Sequence, residues 1–144
     1  LLHHFGNRDD LLLAVIRDIN QQFRQTVIDH LDLSENRPGK MLRAYVRALC
    51  DSQTDVAHYF TPSLVWSGIA HIPGVADEMT ADERWWNDQL TLDGVDPDIT
   101  HIICRAAEGI AAATALGEET PDQIARSRAL LLAMTDNPAN HRQA

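Results

Sequence analysis

The segment at residues 99–116 most restricts what this chain can fold into. Drawn as a helix, it carries apolar or small side chains around most of its circumference, and such a helix is buried on more than one side. The core of so small a domain covers only one of these faces. The second face therefore predicts a helical partner from another chain, and a two-fold homodimer is the commonest solution.

Small residues in this segment would let a second helix approach closely. The next helix, at residues 121–135, also offers more apolar side chains than one stripe needs, so two helices from each protomer would form a four-helix dimer interface. The alternative is a central helix in a monomeric bundle. The interface predicted from this pattern comprises Ile103, Ala106, Ala107, Gly109, Ile110, Ala113, Leu131 and Met134.

Start and stop signals divide the chain into helices. Asp96 and Thr120 are N-capping residues, and each is followed by a proline at the first helical position. Gln123 completes a capping box with Thr120. The sequence has no alternating strand pattern of useful length, so the predicted fold is all-α with about six helices. Their predicted ranges are 8–31, 38–51, 55–71, 75–92, 97–116 and 121–135.

The first helix is long and begins with a strong capping signal. Asn7 is a good N-cap, and Asp9 and Asp10 lie in the first turn, where the helix dipole favours acidic groups. A helix of this length is more typical of a rod that connects two parts of a protein than of an element that only fills a core. Intervals of three and four predict an inward face of Leu12, Val15, Ile19, Phe23, Thr26 and His30.

The composition indicates a folded domain with an acidic surface. The 144 residues are 44% hydrophobic, and the net charge is −9, from 12 Lys and Arg against 21 Asp and Glu. Such a surface repels the phosphate backbone of nucleic acid, so any DNA contact is expected from a small basic region or from residues outside this sequence. The chain opens in the middle of a pattern and without Met, which predicts that further residues precede it.

Neither a membrane partner nor an enzyme activity is predicted. No apolar run approaches the length of a membrane span and no signal peptide is present, so the predicted location is cytoplasmic. Cys50 and Cys104 have no metal-ligand spacing and are predicted to be reduced. Asp55 and His58 have the acid-x-x-His spacing of di-iron bundles, but a second copy is missing. No metal, cofactor or catalytic residue is therefore predicted, since nucleophile motifs and phosphate loops are also absent.

The opening segment carries a resemblance to a known family. Residues 1–15 read LLHHFGNRDDLLLAV, which resembles the end of the TetR-family helix-turn-helix, Leu-Tyr-x-His-Phe-x-(Ser/Asn)-(Lys/Arg)-(Glu/Asp)-x-Leu-x-x-Ala-Val. Leu2 replaces the tyrosine of that pattern, so a hydroxyl that usually contacts phosphate is missing. The matching residues are His4, Phe5, Asn7, Arg8, Asp9, Leu11, Ala14 and Val15.

A second resemblance lies towards the end of the chain. Residues 105–117 are similar to the Arg-x-Ala-Ala-Asp-Gly-Leu…Leu-Gly segment of one TetR C-terminal subgroup, where it belongs to the first dimerisation helix. Glu108 replaces the usual aspartate and keeps its charge. Two adjacent tryptophans, Gly94 and Asp96 precede the segment at a similar spacing. The resemblance implies a TetR C-terminal-like bundle with a long connecting helix and two dimerisation helices.

The resemblance also implies that different parts of the chain have different functions. Residues 1–7 would end a DNA-reading helix-turn-helix, residues 8–136 would form the ligand-binding and dimerisation domain, and residues 137–144 would form a polar, frayed tail. The partners would be operator DNA, held through the N-terminal head, an unidentified small-molecule effector and a second copy of the chain. His4 and Arg8 would hold DNA phosphate at a helix N-terminus.

In the mechanism that the resemblance implies, effector binding tilts the first helix. The spacing of the two DNA-reading heads then changes, and the protein is released from half-sites about one helical turn apart. The pocket would be framed by the middle helices and roofed by the long one. Its predicted lining residues, for which simple core packing is the alternative, are Tyr59, Trp66, His71, Met79, Trp85, Trp86 and Cys104.

Adjacent residues on a helix point about 100° apart, so only one tryptophan of the pair Trp85 and Trp86 is expected to face inward. Two other classes of function stay open at this stage. One is a stand-alone helical module for dimerisation or partner binding without a role at DNA, and the other is a small helical enzyme. The sequence names neither the effector nor the operator, and it leaves repression and activation as alternatives.

Overall fold

The computed structural model describes residues 6–52 and 68–143, and within these ranges the chain forms five α-helices and one short 3-10 helix. The all-α prediction is confirmed, and the helix ends agree with the predicted ones to within two residues. The predicted helix at 55–71 lies mostly outside the described residues. The helices are α1 (Arg8–Asp29), α2 (Lys40–Leu49), α3 (Val75–Thr91), α4 (Pro97–Ala115) and α5 (Pro121–Asp136), followed by the 3-10 helix Pro138–Asn140.

The capping signals read from the sequence are confirmed. The Asn7 side chain accepts a hydrogen bond from the backbone N–H of Asp10 at 2.9 Å. The carboxylate of Asp96 accepts from the first turn of α4. The capping box of Thr120 and Gln123 is complete, with both reciprocal hydrogen bonds present. Because each cap satisfies N–H groups that have no partner within the helix, these residues fix where three of the helices begin.

The helix α2 is the centre of the bundle. It contacts α1, α3, α4 and α5, and seven of its ten residues are buried. A helix that is buried around its circumference needs neighbours on every side. The other helices therefore form a shell around α2. None of the helices in the described ranges is long and apolar enough to cross a membrane.

The start of α2 is capped by a residue from another part of the chain. Gly39 precedes the helix with φ of +89° and provides no capping side chain. The carboxylate of Asp93, which follows α3, accepts hydrogen bonds from the backbone N–H groups of Met41 and Leu42 at 2.9 and 2.8 Å. This contact satisfies N–H groups that would otherwise lack partners. It also fastens the connection between α3 and α4 to the central helix.

Arg43 holds the start of α2 through a buried network. Its side chain is 1% exposed. Its Nε donates to Oε2 of Glu35 at 2.9 Å, and its Nη1 donates to the carbonyl oxygen of Pro38 at 2.7 Å. Asp136, at the end of α5, lies 3.3 Å from Nη1. A buried charge is tolerated only when it is paired and hydrogen-bonded, so this network joins α2 to the preceding connection and to α5.

The inward face of α1 differs from the predicted one. The buried residues are Ile16, Asn20 and Val27, whereas Val15 is 44% exposed. The prediction of Val15 was therefore wrong, whereas Ile19 and Phe23 are half-buried and the inward face extends to Ile16, Asn20 and Val27. The prediction followed the apolar residues alone, and the true inward face includes the polar residue Asn20.

Two ion pairs fasten α1 to α3. The Nε of Arg17 lies 2.9 Å from Oε2 of Glu78, and Nη2 of Arg24 lies 2.6 Å from Oδ1 of Asp82. The second pair is the more buried of the two, with side chains 27% and 18% exposed. Partly buried pairs are screened less by salt than exposed ones, so the Arg24 pair is the stronger link between these helices.

The chain after α5 is not frayed, contrary to the expectation from its polar sequence. His141 forms an isolated antiparallel bridge with Val95, and the backbone N–H of Asp96 donates to the carbonyl oxygen of Asn140 at 2.8 Å. The tail thus packs along the connection between α3 and α4. Local composition indicated polarity correctly, but it carried no information about this long-range backbone pairing.

Glu35 gives the Arg43 network a pH dependence. It accepts hydrogen bonds from Arg43 and Arg47. Burial by itself raises the pKa of Glu35, but the hydrogen bonds from Arg47 and Arg43 outweigh burial and hold the pKa below its usual value. A carboxyl group with a lowered pKa in the folded state stabilises the fold above its unfolded pKa. That contribution is lost as the pH falls through the folded-state value.

We expect Glu35→Gln to lower the free energy of unfolding at neutral pH by about 2 kcal/mol or more, because two arginines lose their charged partner. The difference from wild type should shrink as the pH falls from the ordinary value of 4.5 through the lower folded-state pKa, since the carboxyl group is protonated first in the unfolded and then in the folded protein. Urea unfolding at several pH values measures both effects. The exposed Glu118, changed to glutamine, is the control and should behave as wild type. A difference that stayed constant down to about pH 3 would contradict the ion-pair explanation.

Candidate ligand-binding site

A cavity of about 550 Å³ lies between α1, α3 and α4, with α2 at its base. Its volume falls within the range that binds small organic molecules. One wall comes from α1, through Ile19, Asn20 and Phe23. The opposite wall comes from α4, where Thr100 and Cys104 face the same space. The cavity is therefore bounded on one side by the long first helix.

An aromatic cluster forms the apolar part of the cavity. The ring centroids of Phe23, Tyr45 and Trp86 lie 5.1 to 5.7 Å apart, with interplanar angles between 51° and 76°. Tilted and edge-to-face arrangements of this kind are favourable for aromatic rings. Each ring comes from a different helix, α1, α2 or α3. The cluster therefore holds the three helices together at the point where they line the cavity.

The two adjacent tryptophans have different environments, as their helical spacing predicted. Trp86 is 8% exposed and lines the cavity. Trp85 is half-buried behind it, with ring centroids 4.8 Å apart. The guanidinium carbon of Arg24 lies 4.2 Å from the centroid of the Trp85 ring, a cation–π contact. Because Arg24 also pairs with Asp82, this contact is one of those that pack α1 against α3.

The acidic groups deeper in the cavity are already paired. Glu108 accepts hydrogen bonds from the Tyr45 hydroxyl at 2.8 Å and from Nη1 of Arg105 at 2.6 Å. Burial, followed by the charge of Glu108, raises the pKa of Tyr45 well above its ordinary value, so the phenol stays protonated and donates. Asp82 is paired with Arg24, although burial raises the pKa of this carboxyl group. These carboxylates are thus neutralised by arginines of the protein itself.

The thiol of Cys104 contributes an uncharged surface to the cavity. Burial, with a smaller effect of Glu108, raises its pKa to about 12. A thiol with such a pKa carries almost no thiolate at neutral pH, and the thiolate is the reactive form. Cys104 is therefore suited to apolar packing and not to nucleophilic chemistry.

Two polar atoms in the cavity wall have no hydrogen-bond partner among the described residues. One is Nδ2 of Asn20, in a residue that is only 6% exposed. The other is Oγ1 of Thr100. Buried polar groups are almost always hydrogen-bonded. Neither residue was predicted from the sequence, although an asparagine on an otherwise apolar helix face was a usable signal for Asn20.

The predicted pocket residues have separate locations in the structure. Met79, Trp86 and Cys104 line the cavity. Trp85 packs behind it. His71 is exposed and lies instead in a second cleft together with Arg8. The remaining predicted residues, Tyr59 and Trp66 of the pocket and His4 of the phosphate contact, lie outside the described residues.

Arg8 is exposed at the first position of α1, so its guanidinium is accessible, and its contact with DNA phosphate stays a prediction. Within residues 6–52 and 68–143, no group of three or more His, Cys, Asp or Glu side chains is arranged to hold a metal ion.

The predicted dimer interface divides into buried and accessible residues. Ile103 and Ala107 are fully buried within one chain, and Leu131 is 7% exposed. Their assignment to the interface is corrected, because the core of the same protomer already covers them. Gly109 is exposed, and the other four, which are half-buried, are Ala106, Ile110, Ala113 and Met134.

An apolar stripe runs along the outer side of α4. Ile102 and Leu116 are 54% and 63% exposed, and Gly109 lies midway between them in the sequence. A side chain added at Gly109 would meet no atom within 4 Å. This spacing of seven residues places the three positions on one face of the helix. The sequence analysis included Gly109 in the interface but missed Ile102 and Leu116.

The fold and the cavity define the protein as an all-helical domain with a space for a small molecule beside its long first helix. Comparison with protein families identifies the particular one: residues 39–136 match the family described as "Tetracyclin repressor-like, C-terminal domain". The match spans more than half of the chain, which therefore belongs to this family and is a TetR-family regulator. A search of curated proteins and a search of solved structures each gave no match.

Proposed function

We propose that this protein is a DNA-binding repressor that is released from its operator by a small molecule bound in the cavity beside α1. The observation that carries the proposal is the contribution of Ile19, Asn20 and Phe23 from α1 to the cavity wall. A ligand in this cavity contacts the same helix whose N-terminal end, at Arg8, resembles the junction with a DNA-reading head. Occupancy of the cavity and the position of α1 are then coupled.

The coupling proceeds through differential affinity. A ligand changes the arrangement of the protein only if it binds one arrangement more tightly than the other. The ion pairs of Arg17 with Glu78 and of Arg24 with Asp82 make α1 and α3 move together. A ligand that moves these two helices relative to α4 would therefore change the direction of the N-terminal end of α1. No covalent step is required, and TetR-family regulatory domains are typically non-enzymatic.

We also propose that the protein acts as a homodimer through the outer stripe of α4, defined by Ile102, Gly109 and Leu116. The stripe is apolar and exposed in the single chain. The absence of a side chain at Gly109 permits close approach of a second helix. A two-fold axis brings the same stripe from both copies together. The prediction of a cytoplasmic location stays a prediction from the sequence.

The dimer can be tested with Gly109→Glu. We expect this change to weaken dimerisation by about a hundredfold or more, because it places two charges in the centre of an apolar interface. The fold should be unaffected, since the position is open to solvent in the single chain and glycine is a poor helix former. Sedimentation velocity measures the association and thermal unfolding measures the fold. Leu33→Glu, at a residue that is 81% exposed in the α1–α2 connection, is the control. A wild-type monomer, or a variant that dimerises as well as wild type, would overturn the proposed interface.

The regulatory function can be tested by selecting DNA that binds the whole protein from a random pool. We expect enrichment of a palindrome whose half-sites lie about one helical turn apart, or a multiple of it. Binding should weaken steeply with salt, as phosphate contacts require. Failure to enrich any sequence would instead favour the other candidate function, a helical module that binds a protein partner. An enriched site without two-fold symmetry would contradict the homodimeric arrangement.

A further inference from the structure

The cavity contains unpaired polar groups at a site where the fold does not need them. Of three buried side-chain atoms without a hydrogen-bond partner in the described residues, two belong to Asn20 and Thr100, and both of these residues line the cavity. Asn20 lies on the inward face of α1, between the buried residues Ile16 and Val27. An unpaired buried amide destabilises the empty domain. A leucine at this position would fill a similar volume without that cost.

The charges around the cavity exclude a strongly charged ligand from its inner part. The carboxylates of Asp82 and Glu108 are paired with Arg24 and Arg105. A ligand charge placed against the aromatic wall would find no unpaired counter-charge there, and burying such a charge is unfavourable. Glu83, His101 and Arg142 also line the cavity, but they are exposed to solvent and form no ion pair in the described ranges, so a charge on them is screened by water.

We propose that the cavity binds an uncharged, largely apolar ring compound with a hydroxyl or carbonyl group that hydrogen-bonds Asn20 and Thr100. The aromatic wall of Phe23 and Trp86 contacts the ring. The amide nitrogen of Asn20 is a hydrogen-bond donor, and the hydroxyl of Thr100 can both donate and accept. The polar group of the ligand then satisfies atoms that have no hydrogen-bond partner among residues 6–52 and 68–143. This assignment rests on the proposed function, in which the cavity is the effector site.

Four naphthalene derivatives test the assignment, because they share a ring system that the cavity can hold. The probes are 1-naphthol, naphthalene, 1-naphthoate and 1-naphthylmethylammonium, titrated at neutral pH by isothermal calorimetry. We expect 1-naphthol to bind about tenfold more tightly than each of the others, since one hydrogen bond to a buried group contributes that much. The comparison separates the effect of the hydroxyl from the effects of charge of either sign.

The residue assignment is tested with Asn20→Leu. We expect this variant to lose the tenfold preference for 1-naphthol over naphthalene while its affinity for naphthalene stays the same. Its melting temperature without ligand should equal or exceed that of wild type, because an unpaired buried amide has been removed. Thr100→Val, a change of similar shape, should reduce the preference in the same direction. Asn36→Leu is the control and should keep the preference, since Asn36 is exposed and does not line the cavity.

The other possible results of these titrations would each contradict part of the proposal. If 1-naphthoate or the ammonium probe binds most tightly, the uncharged class is wrong. If naphthalene binds as well as 1-naphthol, the two residues do not recognise a polar group of the ligand. The same conclusion follows if the preference for 1-naphthol survives in both Asn20→Leu and Thr100→Val. Bound water would then satisfy the two side chains instead. In those cases the cavity is still a ligand site. Binding of none of the four probes contradicts both this inference and the effector site, whereas the selection of operator DNA tests the regulatory role independently.

Discussion

The buried guanidinium of Arg43 is the contact on which the rest of this structure depends. It lies inside the protein at the start of the central helix, where it bonds to Glu35, to the carbonyl of Pro38 and to Asp136 at the end of α5. Desolvating an arginine is costly, so removing one partner leaves a charge that the interior cannot accommodate. The network therefore fixes α2 relative to the first connection and to the last helix, and the other helices pack around a fixed centre.

The cavity follows from the way in which the outer helices attach to that centre. The carboxylate of Asp93 caps α2 and positions the connection from which α4 begins, and the tail after α5 pairs with the same connection. By contrast, α1 and α3 are joined to each other by Arg24, Asp82 and the aromatic cluster. The cavity lies between this pair and α4. This arrangement suits a sensor, because a ligand between two packed units can bias their relative position.

Local signals in the sequence predicted local features well. Asn7, Asp96 and Thr120 marked the helix starts because capping depends on residues two or three positions apart. The spacing of the two tryptophans likewise predicted that only one of them would face inward, and Trp86 is the one that lines the cavity. The all-α fold and the family resemblance rest on patterns of this kind, and the family match confirms the resemblance for the C-terminal domain.

Features that depend on distant contacts were not predicted. The capping of α2 by Asp93 and the burial of Arg43 join residues that are far apart in the sequence, and no periodic pattern records them. The inward face of α1 was predicted without Asn20, because a search for apolar stripes passes over a polar residue. Ile103 and Ala107 were assigned to the dimer because an apolar helix does not reveal which of its faces packs within its own chain.

If ligand binding changes the affinity for DNA through α1, then DNA binding must change the affinity for the ligand by the same factor, since coupling between two sites is reciprocal. The direct measurement is the affinity of 1-naphthol for the whole protein, free and bound to its selected DNA. We expect the affinity to be lower on the DNA-bound protein by about fivefold or more, and 1-naphthol should weaken DNA binding by an equal factor. Equal ligand affinity in the two states would contradict transmission through α1.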